Sequence, residues 1–289
     1  MRFTGHMADA KPDRCAPRSA GQFAARTVAE LLDTVNQRSA ECLDRPGVEP
    51  VHDLRVSLRR LRAVLSFFDP LLGEKVALAR AEIREQALDL GQLRDIDVFL
   101  EHLRDGLAPV RDDEADTLRE VLERRRDALS EEIGEQLATR AWRRPLDLVR
   151  TSARYHPGRG RSDAAATSFA SRRLDRWCDR WLVSSSEMTK LNPHDLHRVR
   201  IRAKKLRYAC EVSADLYPAQ AQSATATVEA FKEFQDLLGA ANDAATARRI
   251  VQDAGCDLVG SRVPKVDLGR AGALRQEIID TGRFWAARR

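Results

Sequence analysis

The feature that most constrains this chain is a basic helical pattern written twice. Residues 51–65 read VHDLRVSLRRLRAVL and residues 196–210 read LHRVRIRAKKLRYAC. At a constant offset of 145, His52 matches His197, Arg55 matches Arg200, Arg59 matches Lys204, Arg60 matches Lys205 and Arg62 matches Arg207. A second linked motif follows in each half at an offset of 148: Arg84 matches Lys232, Gly91 matches Gly239, Arg94 matches Asn242 and Asp95 matches Asp243. Two motifs kept in order point to duplication, and an internal repeat fixes the architecture before any other signal.

The spacing of apolar residues predicts helices over about 22–44, 50–68, 74–92, 95–106 and 112–140 in the first half. In the second half it predicts helices over about 165–185, 193–216, 222–239 and 242–254, with a short one near 271–281. Breakers at Arg45-Pro46-Gly47 and Asp69-Pro70 separate the first elements. No useful length of β alternation occurs, and the apolar runs carry Ala, Leu, Glu and Arg, so the expected class is all-α. The expected organisation is a disordered segment over 1–20, a first helical half over 21–144 and a connection over 145–164. A second half over 165–256 and a Gly-rich tail with a short helix over 257–289 complete it.

Net charge is only +5, but its distribution is uneven. Residues 51–62 carry four Arg against Asp53 (+3), and residues 196–207 carry four Arg and two Lys with no acid (+6). These two windows sum to +9, which leaves −4 for the other 265 residues. Concentrated positive charge selects a compact or linear polyanion as partner. Five cysteines without a C-x-x-C pair support neither a zinc knuckle nor a disulfide scaffold, so reduced thiols are expected. The N-terminus lacks an apolar signal region and no stretch approaches 18 apolar residues, so the expectation is a soluble cytoplasmic protein.

On a helical wheel with His52 at zero, Arg59, Arg55 and Arg62 fall at about −20°, −60° and −80°, while Leu54, Leu58, Leu61 and Leu65 occupy roughly 180–240°. In the second copy His197, Arg200, Lys204 and Arg207 share the basic arc, and Val199, Ala203, Leu206 and Cys210 the apolar one. Most charge runs are solvated helix faces. Here like charges at i, i+4 recur at matched positions, and each such pair costs an isolated helix about 0.2–0.5 kcal/mol unless a counter-charge is supplied. Arg suits phosphate because its planar fork binds two oxygens, and Lys adds a point charge. Arg84 and Lys232 extend the basic face from the next helix. Asp95 and Asp243 either cap the helix that follows the Gly91 or Gly239 break, or pair with a rail arginine to orient it. His52 and His197 are either surface residues or ligand contacts at the start of each rail. No H-x-x-x-H pair joins them, and Glu49 stands where the 145 offset places His194, so neither a metal nor a cofactor is expected.

These residues resemble the CHAD family, the conserved histidine α-helical domain. The resemblance rests on His52-Asp53-Leu54-Arg55-Val56 with Arg59-Arg60-Leu61-Arg62, and on Leu90-Gly91 with Arg94-Asp95. It rests equally on His197, Arg200, Arg202 and Lys204-Lys205-Leu206-Arg207, with Leu238-Gly239 and Asn242-Asp243. It covers residues from about 20 to 255 and implies two pseudo-symmetric antiparallel four-helix bundles packed around a basic cavity. It also implies binding of inorganic polyphosphate, with association to polyphosphate granules. The Glu-x-Glu-x-Lys signature of the triphosphate-tunnel domain fused to some members is absent. The expected contacts are Arg55, Arg59, Arg62, Arg200, Lys204 and Arg207, then His52 and His197. Lys205, Arg60, Arg202, Arg84 and Lys232 rank below them.

The leading expectation is therefore a polyphosphate-binding protein and not an enzyme. One rival is a phosphotransfer or phosphohydrolase enzyme using the paired histidines, although Asp53 is the only carboxylate inside the basic windows. The other is a nucleic-acid-binding module, disfavoured because Tyr208 is the only aromatic in those windows.

Overall fold

The computed structural model describes residues 18–154, 160–256 and 267–286. They form ten α-helices linked by turns and short 3₁₀ segments, with no strand among the described residues. The chain is all-α. None of these helices is long and apolar enough to cross a membrane.

The first half contains α1 (Ala20–Asp44), α2 (Val48–Phe67), α3 (Asp69–Arg104), α4 (Asp112–Ala138) and α5 (Arg140–Ser152). The second contains α6 (Ala166–Ser184), α7 (Pro193–Ser213), α8 (Ala221–Leu237), α9 (Gly239–Asp253) and α10 (Leu268–Thr281). α2 packs between α1 and α3, and α7 between α6 and α8. The halves join where α2 meets α7 and α1 meets α6. One continuous apolar core runs through both. At the junction Phe67 stands edge-on to Phe169 (5.8 Å) and to Trp177 (5.5 Å), so aromatic packing ties the end of α2 to α6. The wheel's apolar faces are inside: Leu54, Leu58, Leu61, Ala203, Leu206 and Cys210 are fully buried.

Four expectations need correction. Gly91 does not end a helix, because α3 runs unbroken from Gly73 to Arg104. The real kink is at Gly73, whose φ of 75° favours glycine. In the second half the matching Gly239 does open a new helix, α9. Residues 145–152 are helical and belong to α5. Pro145 lies inside this helix, and the Ala141 carbonyl that its missing N–H leaves without a helical donor accepts from Gln86 Nε2 (3.0 Å). Arg18–Ala20 are not loose: Ser19 caps α1 in a capping box with Gln22, and Ala20 N donates to Ala164 O (2.7 Å). The rest of the expected disorder, 1–17, lies outside the described residues. Lastly, the tail is partly core: α10 packs on α8 and buries Ala271, Leu274, Ile278, Phe284 and Trp285. Residues 257–266 and 287–289 lie outside the described residues.

A smaller apolar cluster joins the far end of α3 to α4 and α9 through Ile96, Phe99, Leu118, Leu122 and Val251. Asp97 is buried there and accepts from Arg126 Nε (2.8 Å), which fixes α4 against α3. Cys42, Cys178 and Cys210 are buried free thiols.

Candidate functional site: a groove lined by two cation rails

Because α2 and α7 each bury an apolar arc and touch one another, their basic arcs are brought together beside the contact. The result is a recess of about 630 Å³ that takes residues from both rails. α2 supplies Arg55, Arg59 and Arg62, and α7 supplies His197, Arg200, Lys204 and Lys205. α3 adds Arg80 and Arg84. Eight Lys and Arg side chains thus face one carboxylate, Asp95.

Two further recesses share Arg55, Arg59 and Asp95 with the first. One of about 150 Å³ is lined by His52, Arg94, His102, Arg200 and Asp243, among others. The other, about 560 Å³, shares Arg62 as well and adds Arg125 and Arg249, between α3, α4 and α9. The two histidines are therefore divided: His52 shares a recess with Arg200 of the opposite rail, and His197 shares one with Arg55. Each is the fifth residue of its helix.

The electrostatics reflect crowding of like charge. Arg55 is held below its usual pKa by burial first and then by Arg59, with Asp95 opposing. Arg200 is likewise lowered by burial, while Asp243 pulls it back up. Lys204 shows the largest effect: burial, then Arg59, Arg200, Arg55 and Arg207, bring it from 10.5 to about 7. His52 is pushed down by burial and then by Arg94. Among the described residues the buried His52 Nδ1, Arg59 Nε and Arg62 Nε have no hydrogen-bond partner. Such orphaned polar atoms are costly unless a ligand or water meets them.

The acidic residues of the repeat are not caps. Asp95 lies deep inside α3, and Asp243 lies inside α9, whose N-cap is Leu238. Asp95 is the orienting pair instead, 4.0 Å from Arg55 and 3.4 Å from Arg249. Burial raises its pKa against the pull of Arg55 and Arg249. The paired glycines have a different role. A Cβ at Gly91 would sit 3.6 Å from Arg55 Nε, and one at Gly239 would sit 3.5 Å from Arg200 Nη2. Each half therefore lays its rail arginine across a residue with no side chain.

The structure does not bring every expected contact to these recesses. Arg207 pairs with Glu211, donates to Gln235 Oε1 (3.3 Å) and covers the Tyr208 ring at 4.5 Å. Arg60 reaches the same Glu211 (3.4 Å). Arg202 and Lys232 line none of the three recesses. Conversely, Arg80, Arg125, Arg249 and His102 line the recesses without being among the contacts expected from sequence, as does Arg94 of the second motif. Arg80 precedes Arg84 by one turn, which was a usable signal. Arg125 and Arg249 have no counterpart in the repeat and arrive through tertiary packing.

A CHAD domain family model matches residues 26–252. No curated relative matches the chain. Among solved structures it is similar to the crystal structure of the CHAD domain from the plant Ricinus communis, with a TM-score of 0.71 and 19% identity over 95% of this chain and 91% of that one. It is also similar to PptA from Streptomyces chartreusis, with a TM-score of 0.55 and 20% identity over 91% of this chain and 94% of that one. At those identities the structural likeness speaks to fold alone. The family model spans well over half of the sequence and includes both rails, and the chain belongs to the CHAD domain family.

Proposed function

We propose that this protein binds inorganic polyphosphate along the α2–α7 groove and holds the polyanion without acting on it chemically. The observation that carries this reading is a recess lined by eight cations, from both rails and α3, in which Asp95 is the one lining carboxylate. Arg80 and Arg84 also pair with Asp69 and Glu85 at its edge. The family is one associated with polyphosphate binding, which fits a linear ligand with regularly spaced charge. Phosphate oxygens would supply the counter-charge that the rails lack, through charge-assisted hydrogen bonds.

Two observations favour binding over the rival readings. Asp53, the carboxylate within the first rail, pairs with Arg38 of α1 (3.4 Å) and lines none of the recesses, so it is poorly placed as a general base. Tyr208, the aromatic lining the groove, is 3% exposed and its ring is covered by Arg207, so it offers no free face for stacking a base. Competition between polyphosphate and DNA at matched charge concentration tests the ligand. Polyphosphate should displace DNA, and equal competition would favour a nucleic-acid module. Release of orthophosphate from polyphosphate by the pure protein would overturn the non-catalytic reading. A holder of long polyphosphate would collect at granules, and co-sedimentation with them is the corresponding cellular observation.

A further inference from the structure

A second basic recess lies outside the repeated motifs. It measures about 360 Å³ and is lined by Arg161, Arg172, Arg173 and Arg176 together with Pro70, Leu71 and Phe169. Arg172 and Arg176 stand one turn apart on α6, about 6 Å along the axis, and Arg180 continues the row. Among the described residues these three have no ion-pair partner, and all are exposed. The acids of the same helix are already engaged. Asp175 and Asp179 both pair with Arg283, and Asp175 also accepts from Trp285 Nε1 (2.9 Å). The C-terminal segment thus neutralises the acidic side of α6 and leaves the basic side uncompensated.

This recess adjoins the central groove at one residue. Arg80, a groove residue, donates to Ser66 Oγ (3.0 Å). Arg173 donates to the Ser66 carbonyl (2.9 Å) and the Phe67 carbonyl (3.0 Å) from the other side. Asp69, the acid at this join, is paired with Arg80 (3.4 Å). The cations therefore continue from Arg62 and Arg80 past Ser66 to Arg173 and Arg176.

We propose that α6 carries a second anion-binding track, formed by Arg161, Arg172, Arg173 and Arg176, which takes the stretch of a long polyphosphate chain that leaves the central groove. This rests on the polyphosphate reading above and adds a chain-length dependence to it. A chain of a few phosphates fills only the central groove, whereas a long chain gains contacts on α6 and releases more counterions.

The test compares wild type with an Arg172→Ala/Arg176→Ala variant, using tripolyphosphate and polyphosphate of several hundred units. Both side chains are exposed and neither makes a hydrogen bond or ion pair among the described residues, so folding is preserved; thermal melting checks this. The variant should lose about tenfold in affinity for the long chain and nothing for tripolyphosphate. Its slope of log K against log salt should shrink by about 1.4, by analogy with single strands at about 0.7 per phosphate contact. Unchanged long-chain affinity, or an equal loss for both lengths, overturns the second track. Wild type binding neither length overturns the parent reading and this one together, and is distinct from both of those results.

Discussion

Lys204 gives the groove a titration near neutral pH. Burial and the surrounding arginines bring its pKa down to about 7. A bound polyanion restores the missing counter-charge, so Lys204 is protonated in the complex across this range. Binding is then coupled to proton uptake. At pH 8.5 only about 3% of the free protein carries this proton, so nearly one proton is taken up per complex. With affinity proportional to the protonated fraction, Kd rises about 30-fold between pH 6 and pH 8.5, equivalent to about 2 kcal/mol. That is an upper limit, because a neutral lysine leaves the other cations in place and water screens a partly exposed ammonium. The stability of the free protein moves the other way. The folded pKa lies below the unfolded value, so the unfolded chain binds more protons between about pH 7 and 10.5. The cost of charging Lys204 is fully present below that window and is relieved as pH rises through it. His52, whose pKa is pushed down in the free protein by burial and then Arg94, would take up a proton on binding in the same sense, so the Lys204→Arg variant is what assigns the arm above pH 7 to Lys204. Calorimetric titration with long-chain polyphosphate, in buffers of differing ionisation enthalpy, reads both affinity and proton uptake. Lys204→Arg, charged throughout, should keep the pH 6 affinity and lose most of the pH dependence. A wild-type affinity that is flat from pH 6 to 8.5, or a Lys204→Arg variant that keeps the full dependence, would show that Lys204 does not set the pH response.

Two further perturbations separate the groove from its scaffold. Arg126→Ala leaves the buried Asp97 carboxylate without its partner, and its other oxygen already has none, so stability should fall by about 3 kcal/mol in chemical denaturation while polyphosphate affinity holds. At Gly91, an alanine methyl meets Arg55 at ordinary contact distance and relieves a glycine in mid-helix, so Gly91→Ala should gain about 0.5–1 kcal/mol of stability without loss of affinity. Gly91→Leu should displace Arg55 and weaken binding about tenfold, the scale of one charged contact; equal affinities for the two variants would show that the close approach is irrelevant.

Helical periodicity placed Leu54, Leu58, Leu61 and Leu65 in the core, and the same wheel placed Arg55, Arg59 and Arg62 together. Both are consequences of local geometry that sequence records directly. What periodicity does not carry is the choice between competing partners. Arg207 and Glu211, four residues apart on α7, form a pair that spacing alone makes available, and this draws Arg207 away from the groove. Arg60 joins the same acid only because α2 packs on α7. Gly91 reads as a break because its intrinsic cost is local, yet packing of α3 on α2 offsets that cost, as the Gln86 bond does for Pro145 inside α5. The same glycine in the second copy does separate two helices, so the duplicated sequence has taken two backbone outcomes. Arg249 reaches Asp95 across more than 150 residues of sequence, and nothing in the repeat foretells it.

Whether the two rails act as one site is read by titrating wild type and an Arg55→Ala/Arg200→Ala variant with long-chain polyphosphate. Each substitution removes one guanidinium that reaches the shared recess from its own helix. At about 1.5–3 kcal/mol per charged contact, affinity should fall by at least about 100-fold at fixed salt. An affinity equal to that of wild type, with the variant still folded, would contradict the assignment of the rails to the binding site.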